Sequence, residues 1–410
     1  MPDKDLVDFP KQVALVHDWF STRSHGGAEL VTREIDSLLL HLGCSTQLAS
    51  LVDGQSTQLD SWLYGRSVLT TPIQNLPWGR SHVQQYLPLL PLAIEQLDLV
   101  DYPLVISSSH LVAKGVITSP ENLHVSYVHT PMRYAWDLMH AYLRRSHLAR
   151  LGAGPLIRWQ LHNLRQWDQL SGLRVDHLIA NSRFTARRIA AFWGRAAKVI
   201  HPPVEVQRFC WNEPREDFYL CVSRLVSYKR VDLVVEAFNR LKLPLVVVGQ
   251  GPEEGYLKKL AGPTVRLVGF QPEQEVETLM AHCRAYVYAG LEDFGIAPVE
   301  AMASGAPVIG LGRGGLLDTV RCASADGALP TGVLFPDQTV GSIIQALSWF
   351  EESRLWKKFS SESTRLWAEQ FRPEQFASRL ETELRRVWGL HRKDCDVGAS
   401  DPAKFLGFQV

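Results

Sequence analysis

Short apolar runs alternate with helix-like patterns along most of this 410-residue chain. Each run is bounded by Gly, Pro or Asn, and such alternation is typical of parallel β-sheets joined by crossover helices. One series of strands is predicted at residues 13–17, 104–107, 124–129, 177–180 and 198–200. A second series is predicted at residues 218–222, 245–248, 265–267, 285–288 and 307–309. The pattern therefore predicts an α/β fold with two open, doubly wound sheets.

The segment between the two series, HPPVEVQRFCWNEPRED at residues 201–217, is rich in Pro and charge and has no regular period. It is the best domain boundary in the chain. We predict a Rossmann-like domain over residues 1–205 and a second over 206–372. Residues 373–410 should form a helix that crosses back to the first domain, followed by a polar tail. Ligands of such sheets bind outside the carboxyl ends of the strands, so a cleft between the halves is the expected site.

Charge and apolar content exclude several classes of protein. The 43 basic side chains balance 43 acidic ones, which argues against a protein that binds nucleic acid through bulk positive charge. The start, MPDKDLVDFP, has no signal-peptide pattern, and no run of eighteen apolar residues occurs. Six scattered cysteines without C-x-x-C spacing are interpreted as reduced thiols. These features predict a cytoplasmic protein that does not span a membrane.

The densest cluster of chemically useful residues is LEDFGIAPVEAMASGAPVIG, residues 291–310. A strand is expected to run through a short turn into a helix that opens at about Pro298. Glu292 and Glu300 flank this turn, where they are suited to accept hydrogen bonds from sugar hydroxyls. A first-turn acid that merely favours the helix is the simpler interpretation of Glu300.

A second cluster, SRLVSYKR at residues 223–230, follows the first strand of the second half. Arg224 and Lys229 would stand at the carboxyl end of that strand, where their charges could neutralise a diphosphate. The same charges would stabilise a departing phosphate. A solvated loop with ordinary basic residues is an equally good interpretation of this cluster alone.

Taken together, these residues resemble the retaining GT-B glycosyltransferases of the "glycosyl transferases group 1" type, which use nucleotide-diphosphate sugars. EDFGIAPVE resembles the E-x7-E motif of that family, and SRLVSYKR resembles its Arg-x4-Lys element. HDWFSTRSHGGAELVTREI, YVHTPMRYAWD, IANSRFTARRIA, VIHPPVEVQRF and VVGQGPEE follow in the family order. The resemblance extends to about residue 390.

The resemblance implies roles for individual residues. Glu292 would contact the donor sugar, Glu300 the ribose, and Arg224 with Lys229 the diphosphate. Backbone amides near Phe294, Gly295 and Ile296, and those of Gly26 and Gly27, would assist. His129 would lie beside the reacting sugar, and Gly269 with Phe270 near the base, although strand-end His129 and apolar Phe270 could equally be core residues. His17 and Asp18 are acceptor-side candidates. The catalytic set would be His129, Glu292, Arg224 and Lys229.

Gly26 and Gly27 have a second interpretation, in which the turn into the helix simply needs glycine for its backbone angles. One position departs from the family pattern: GRGGLLDTV carries Asp318 where relatives often carry Glu. This shorter carboxylate leaves the role of that loop open.

The implied reaction is transfer of a hexose, with mannose favoured, from a GDP- or UDP-sugar to a glycan or lipid-linked acceptor, with retention at the anomeric carbon. The only D-x-D triplets, at residues 3–5 and 394–396, lie near the termini. We therefore expect no metal ion and no cofactor, and a leaving diphosphate stabilised by side chains.

Two other classes of protein are kept open. GLGRGG at residues 310–315 matches the G-x-G-x-x-G fingerprint of dinucleotide-binding proteins. It comes late in its half, and GALPTGVLFP follows where a strand with a ribose-binding acid is expected, so NAD binding is disfavoured. A non-catalytic sugar-nucleotide-binding protein is the other class, because a fold does not certify activity.

Residues 141–168 carry five arginines, at positions 144, 145, 150, 158 and 165, against one acid, Asp168. Leu, Ile and Trp are interleaved with them. Basic amphipathic segments bind anionic membranes, so this stretch predicts peripheral association with the inner face of the plasma membrane. A solvated helix face that packs through its apolar residues is an equally good interpretation.

Overall fold

In a computed structural model, the chain divides into two compact units. The first comprises Met1–Asn181, Thr185–Ile200 and Phe376–Val410, and the second comprises Ser182–Phe184 and His201–Gln375. The structure describes residues 8–22, 26–137, 139–140, 143, 153–323 and 329–400, the last five by their backbone.

The first unit is built on a seven-stranded parallel sheet with strand order β3-β2-β1-β4-β5-β6-β7. Its strands are β1 (Gln12–His17), β2 (Ser45–Ser50), β3 (Val68–Thr70), β4 (Leu104–Ser109), β5 (Leu123–Val128), β6 (His177–Ala180) and β7 (Lys198–Val199). Its helices are α1 (Gly27–His41), α2 (Leu90–Ile94), α3 (Gly154–Arg174), α4 (Arg183–Trp193) and, at the chain end, α12 (Pro373–Ser400).

The predicted strands of this unit occur, and two further strands were missed. Every residue of β4 and β5 is buried, as expected for a parallel sheet covered on both faces. β2 escaped prediction because its sequence, STQLAS, begins with three polar residues that are exposed or half-buried. β3 has only three residues, so it has too little pattern to recognise.

A buried ion pair holds α3 against the rest of the first unit. Lys114 Nζ lies 2.9 Å from Asp168 Oδ1, and the two side chains are 1% and 0% exposed. Asp168 Oδ2 also accepts hydrogen bonds from the indoles of Trp136 and Trp193, at 2.8 and 2.7 Å. The one acid of the arginine-rich stretch is therefore a core residue, and it does not offset the charge of the helix surface.

The second unit has a six-stranded parallel sheet with strand order β10-β9-β8-β11-β12-β13. Its strands are β8 (Tyr219–Val222), β9 (Leu245–Val248), β10 (Val265–Gly269), β11 (Ala285–Tyr288), β12 (Val308–Leu311) and β13 (Gly332–Phe335). Its helices are α5 (Val231–Leu241), α6 (Glu254–Leu260), α7 (Glu273–His282), α8 (Ile296–Ala303), α9 (Leu316–Thr319), α10 (Val340–Glu352) and α11 (Ser361–Ala368). The two parallel-sheet α/β units confirm the predicted fold class.

The structure differs from the sequence predictions at several boundaries. The units change at Ile200 and at Gln375, against predicted limits at 205 and 372. GALPTGVLFP contains strand β13, so the prediction that no strand follows GLGRGG was wrong. The helix α12 continues to Ser400, whereas a polar tail had been expected from about residue 391. Apolar residues of α12, among them Phe376, Leu384 and Trp388, pack into the core of the first unit.

Both sheets reverse their strand order beside their first strand. The reversal lies between β1 and β4 in the first unit and between β8 and β11 in the second. Ligands of doubly wound sheets bind outside the carboxyl ends of the strands at such switch points. The residues that follow these four strands are therefore the first place to look for a site in each unit.

Candidate active site

Arg224 and Lys229 follow β8 at the switch point of the second unit. The Arg224 side chain is exposed, and it makes no hydrogen bond or ion pair with any residue that the structure describes. Lys229 ends a short 3-10 turn, Ser227–Lys229, and the next residue, Arg230, takes a left-handed conformation (φ 52°) before α5 begins. This turn brings two cationic side chains to the carboxyl edge of the sheet.

Glu292 follows β11, the neighbouring strand across the switch point. Its carboxylate accepts hydrogen bonds from the Lys229 ammonium and from the Tyr288 hydroxyl. The Lys229 and Glu292 side chains are 18% and 15% exposed, so both remain reachable by a ligand. The sequence had placed these two residues in separate motifs, and the fold brings them into direct contact.

Glycines hold the Glu292 loop against the next loop of the unit. A Cβ on Gly315 would lie 2.3 Å from the Phe294 Cα, and one on Gly314 would lie 2.4 Å from the Glu292 carbonyl oxygen. The Gly315 N–H donates to that same carbonyl at 2.9 Å. The glycines of GLGRGG thus allow close packing of two backbones.

Three features of this loop oppose the dinucleotide-binding interpretation. The glycines have the packing role just described, and α9, the helix that follows, has four residues. The loop follows β12, which lies outside the switch point. In a dinucleotide-binding fold the glycine-rich turn lies at the switch point of the sheet, and it leads into a helix whose N-terminus binds the phosphates.

Helix α8 begins at Ile296, and Gly295 precedes it with φ 94°. Pro298 is therefore the third helical residue, and the helix begins two residues before the start predicted at about Pro298. Ile296 and Ala297 keep backbone N–H groups that have no partner within the helix. These donors lie four and five residues beyond Glu292, on the loop where the resemblance implies diphosphate-binding amides.

Glu300 is the fifth residue of α8, so it does not lie in the first turn as predicted. Its carboxylate lies 3.1 Å from Arg208, which also lies 2.9 Å from Glu273 and 3.4 Å from Glu277. Burial raises the pKa of Glu300, and the charge of Arg208 opposes that rise. The position argues against a purely helix-favouring role, because the dipole effect is confined to the first turn.

Gly269 and Phe270 stand at the end of β10. Gly269 has φ 74°, in the left-handed region that favours glycine. The Phe270 side chain is 69% exposed. The interpretation of Phe270 as a core residue was therefore wrong, and its ring is available to a ligand.

Gly26 is the N-cap of α1 in the first unit. Its φ and ψ, −97° and 161°, suit any residue, and a Cβ at this position would meet no described atom within 4 Å. The interpretation that the turn needs glycine for its backbone angles was therefore wrong for Gly26. The N–H of Gly26 lies 3.4 Å from Glu29 Oε2. Gly27 is the first residue of the helix, and both glycines are exposed.

His17 and His129 end or follow β1 and β5 and share one partner on β4, Ser108. His17 Nδ1 lies 3.0 Å from the Ser108 carbonyl oxygen, and His129 Nε2 lies 2.8 Å from the Ser108 hydroxyl. Burial lowers the pKa of His17 to about 4 and that of His129 well below its ordinary value, and the nearby His110 lowers both further. Both rings are therefore neutral at physiological pH. His129 is 9% exposed, and the core interpretation of this residue fits its burial.

Asp18, directly after β1, is completely buried, and its carboxylate is surrounded by donors. It accepts hydrogen bonds from four consecutive backbone N–H groups, those of residues 110–113, at 2.5–3.0 Å. Oδ2 also lies 2.9 Å from His110 Nδ1. Burial alone would raise the pKa of Asp18, but its interactions with His110, and to a lesser degree with His17, hold it below its ordinary value.

His110 is a residue that sequence reasoning missed. It follows the apolar run of β4 in ISSSH, directly after the strand end, which is the same signal that singled out His17 and His129. Its side chain is 26% exposed, more than that of either of the other two histidines.

The remaining predictions concern Asp318 and the arginine-rich stretch. Asp318 is buried and accepts hydrogen bonds from the N–H and Nε of Arg183, at 2.6 Å each, so it has a structural role within the second unit. Arg144, Arg145 and Arg150 lie outside the described residues. Arg158 is exposed.

Two features are absent from the described part of the chain. Among its helices, none is both long and apolar enough to cross a membrane. Among its side chains, no group of three or more His, Cys, Asp and Glu residues is arranged to hold a metal ion.

The sequence profile of the family described as Glycosyl transferases group 1 matches residues 204–370. Similar curated proteins include a GDP-mannose-dependent alpha-mannosyltransferase of Corynebacterium glutamicum, 37% identical over 24% of each chain. Another is a D-inositol 3-phosphate glycosyltransferase of Geodermatophilus obscurus, 31% identical over 36% of this chain and 40% of the relative. The matched segments thus span less than half of the length of these two relatives.

Solved structures resemble the chain over almost its whole length. Sucrose-phosphate synthase from Thermosynechococcus elongatus matches 93% of this chain and 100% of its own, with a TM-score of 0.68 and 17% identity. HepE of Anabaena, solved in complex with UDP, matches 91% of this chain and 99% of its own, with a TM-score of 0.63 and 16% identity. At these identities the likeness establishes the fold, and it confirms the predicted GT-B architecture. Residues 204–370 thus match the glycosyl transferases group 1 family, within a chain whose two parallel-sheet units have the GT-B fold.

Proposed function

We propose that the protein is a retaining hexosyltransferase that uses a nucleoside-diphosphate sugar. Its acceptor would be a glycan or a lipid-linked glycan, bound by the first unit. The donor would bind to the second unit, at the switch point between β8 and β11. This assignment extends the family match of residues 204–370 to the activity of the whole chain.

The observation that carries the proposal is the set Arg224, Lys229 and Glu292 at one switch point. Two cations beside a half-buried carboxylate suit a ligand that has an anionic diphosphate and a hydroxyl-rich sugar. Arg224, exposed and without a partner among the described residues, can take phosphate oxygens without losing an existing contact. Lys229 would exchange Glu292 for the diphosphate, which releases the carboxylate to accept hydrogen bonds from sugar hydroxyls.

In the proposed reaction the bond between the anomeric carbon and the diphosphate oxygen breaks as the acceptor oxygen attacks the same face. The acceptor proton passes to the leaving diphosphate, and Arg224 with Lys229 stabilises the remaining negative charge. Glu292 is not the covalent nucleophile in this route, because its carboxylate, once released by Lys229, accepts hydrogen bonds from the sugar hydroxyls. Mass spectrometry that trapped a glycosyl-enzyme on Glu292 would overturn this route.

The favoured donor is GDP-mannose, because two of the similar curated proteins are named as GDP-mannose-dependent enzymes. Calorimetry with GDP-mannose, UDP-glucose, ADP-glucose and dTDP-glucose would test the donor class. We expect micromolar binding of one donor and loss of that binding in Arg224→Ala and Lys229→Ala. Arg240→Ala, on the exposed face of α5 where it pairs with Glu236, is the matched control.

Three outcomes of the donor experiment decide between the classes of protein. Binding without turnover would favour a non-catalytic sugar-nucleotide-binding protein. NAD binding would favour a dehydrogenase. Absence of binding by every donor would refute the proposal.

We propose that no divalent metal is needed, since the two cationic side chains supply positive charge to the leaving group. Turnover should be the same with 5 mM EDTA as with 5 mM MgCl2 or MnCl2. Restoration of an EDTA-treated protein by either ion alone would overturn this part of the proposal.

We further propose that the protein works in the cytoplasm, as its six free thiols suggest, and binds the inner face of the plasma membrane through the 141–168 stretch. Within α3, Leu156 and Trp159 are 65% and 59% exposed, beside the exposed Arg158. An exposed helix surface that carries both apolar and basic residues suits an anionic bilayer. Flotation with liposomes containing 30% phosphatidylglycerol should recover the wild type, and Trp159→Ala should reduce recovery. A wild type that stays unbound at 150 mM NaCl would overturn the membrane assignment.

A further inference from the structure

The switch point of the first unit holds a carboxylate–histidine pair, Asp18 and His110, of which only Asp18 was named above as an acceptor-side candidate. Asp18 directly follows β1 and His110 directly follows β4, and these are the two strands that flank the switch point. Oδ2 of Asp18 lies 2.9 Å from Nδ1 of His110, although the contact falls short of the directionality of a strong hydrogen bond. The pair therefore joins the two strands between which a ligand of this sheet is expected.

The Asp18 carboxylate is fixed before any ligand arrives. Four backbone N–H groups hold it, two on each oxygen, and the residue has no exposed surface. A carboxylate in this setting cannot reach an acceptor molecule. Its effect on an acceptor must pass through His110, which makes Asp18 a positioning residue.

The His110 ring is oriented by this contact. Its Nδ1 atom is buried against Asp18, so the exposed quarter of the side chain lies toward the opposite edge of the ring, which carries Nε2. Trp19 packs edge-on against the ring, with centroids 4.6 Å apart, and the His17 ring lies 5.6 Å away. Nε2 has no hydrogen-bond partner among the described residues. Because an ionised carboxylate only accepts hydrogen bonds, Nδ1 carries a proton, and in the neutral tautomer of that form Nε2 is a hydrogen-bond acceptor.

We propose that His110 binds the acceptor through Nε2, which accepts a hydrogen bond from a hydroxyl group of a sugar or polyol, and that Asp18 orients the ring. This inference rests on the proposed function and names the acceptor-binding residue of that site. The buried His17 and His129 have less exposed surface to offer to the same hydroxyl. The proposed interaction is a hydrogen bond, and no proton is transferred to the ring.

Two substitutions separate a ligand-binding role from a structural one. His110→Asn keeps a polar group near the position of Nδ1, where it can serve Asp18, but removes the Nε2 end. His110→Gln places its terminal amide near the position of Nε2, where an acceptor hydroxyl can still be bound. His41→Ala is the control, since His41 is an exposed residue of α1 that bonds only its own helix in the described structure.

The assay measures transfer from GDP-mannose to methyl α-D-mannoside and to D-inositol 3-phosphate, with donor hydrolysis recorded in parallel. We expect His110→Asn to lower the acceptor kcat/KM by about 3- to 10-fold, the range of one hydrogen bond to a partly exposed ring. His110→Gln should retain several times the activity of His110→Asn. Donor KM and donor hydrolysis should match the wild type in both variants, as in His41→Ala.

Each outcome has a defined meaning. A Gln-to-Asn activity ratio above one, with unchanged donor hydrolysis, supports the proposal, and a ratio of one or below overturns it. A wild type that hydrolyses the donor but transfers to neither probe overturns the assignment of a simple hydroxyl acceptor to His110. A wild type that neither binds nor hydrolyses any nucleotide sugar refutes the proposed function itself, and the role of His110 with it.

Discussion

The two switch points of this protein use charge in opposite ways. In the second unit, Arg224 is exposed, and Lys229 and Glu292 are 18% and 15% exposed and neutralise each other. In the first unit, Asp18 has no exposed surface, and four backbone donors and a histidine compensate its charge. The same fold position thus holds accessible charges in one unit and an enclosed charge in the other.

This difference matches two kinds of ligand. A diphosphate brings negative charge, so its site needs cations that a ligand can reach. A hydroxyl group brings none, so its site needs an oriented, neutral acceptor such as an imidazole nitrogen. We therefore propose that the donor binds to the second unit and the acceptor to the first, and four predictions test this proposal.

The largest expected effect comes from removing a carboxylate at each switch point. Asp18→Ala leaves four buried N–H groups without a partner and should lower the free energy of unfolding of the first unit by about 3–5 kcal/mol. Glu292→Ala, at a partly exposed site, should change stability by less than about 1 kcal/mol while it abolishes turnover. Urea unfolding and a transfer assay on both variants would measure this. Equal loss of stability in the two variants would contradict the difference between an enclosed charge at Asp18 and an accessible one at Glu292.

The second prediction concerns the cations of the second unit. Lys229→Ala should lower kcat/KM for the donor by about 100- to 1,000-fold, the usual loss when one donor to a developing charge is removed. Part of this loss arises because Glu292 then faces the diphosphate without its counter-ion. Lys229→Ala combined with Glu292→Gln should therefore bind the donor more tightly than Lys229→Ala alone. Weaker binding by the double variant would show that the two residues act independently.

The third prediction compares two glycines. Gly26→Ala has free space around the new Cβ, so stability should stay unchanged. The family resemblance implies that the Gly26 N–H assists the diphosphate, so on that interpretation the methyl group should weaken donor binding about tenfold, or about 1.4 kcal/mol. Gly315→Ala forces the backbone of Phe294 to move, so it should lower both stability and donor binding.

Differential scanning fluorimetry and donor calorimetry would separate the two effects. Gly341→Ala, in α10 with open space around its Cβ, is the control and should be neutral or slightly stabilising. A fall in Tm for Gly26→Ala equal to that for Gly315→Ala would show that Gly26 is needed for the stability of the fold.

The smallest effect is expected at Glu300. Burial raises the pKa of Glu300 in the folded state, so the ionised carboxylate is disfavoured there. The protonated form therefore contributes stability at low pH, and that stability is lost as the pH rises through the folded-state pKa. Glu300→Gln removes this loss. The stability of the variant relative to the wild type should therefore increase from pH 4 to pH 8, by about 1 kcal/mol or less. A difference that stays constant or reverses with pH would contradict the assignment.

Much of the candidate site in the second unit was predictable, because local sequence patterns indicate its strands and its polar residues. The apolar runs of β8 and β11 indicated buried parallel strands, and the polar residues after them, Arg224 and Glu292, indicated a ligand site at their carboxyl ends. The prediction failed where local pattern is weak. β2 begins with polar residues, and β13 lies within a Pro- and Gly-rich segment that resembles a loop.

The sequence alone could not determine which partners the site residues have. Lys229 and Glu292 are 63 residues apart, and Asp18 and His110 are 92 apart, so each contact depends on which strands lie side by side. Strand neighbours are a property of the whole sheet, and no local period encodes them.

The sequence by itself therefore determined two α/β halves, and it identified Arg224 and Lys229 after β8 and Glu292 after β11 as candidate ligand-binding residues. It did so because strand period, helix boundaries and charge are local properties of the chain. Only the tertiary structure decided that Asp18 is an internal anchor whose carboxylate a ligand cannot reach. It decided this through four backbone N–H groups on one loop that converge on one carboxylate, and that convergence exists only once β1 and β4 are paired.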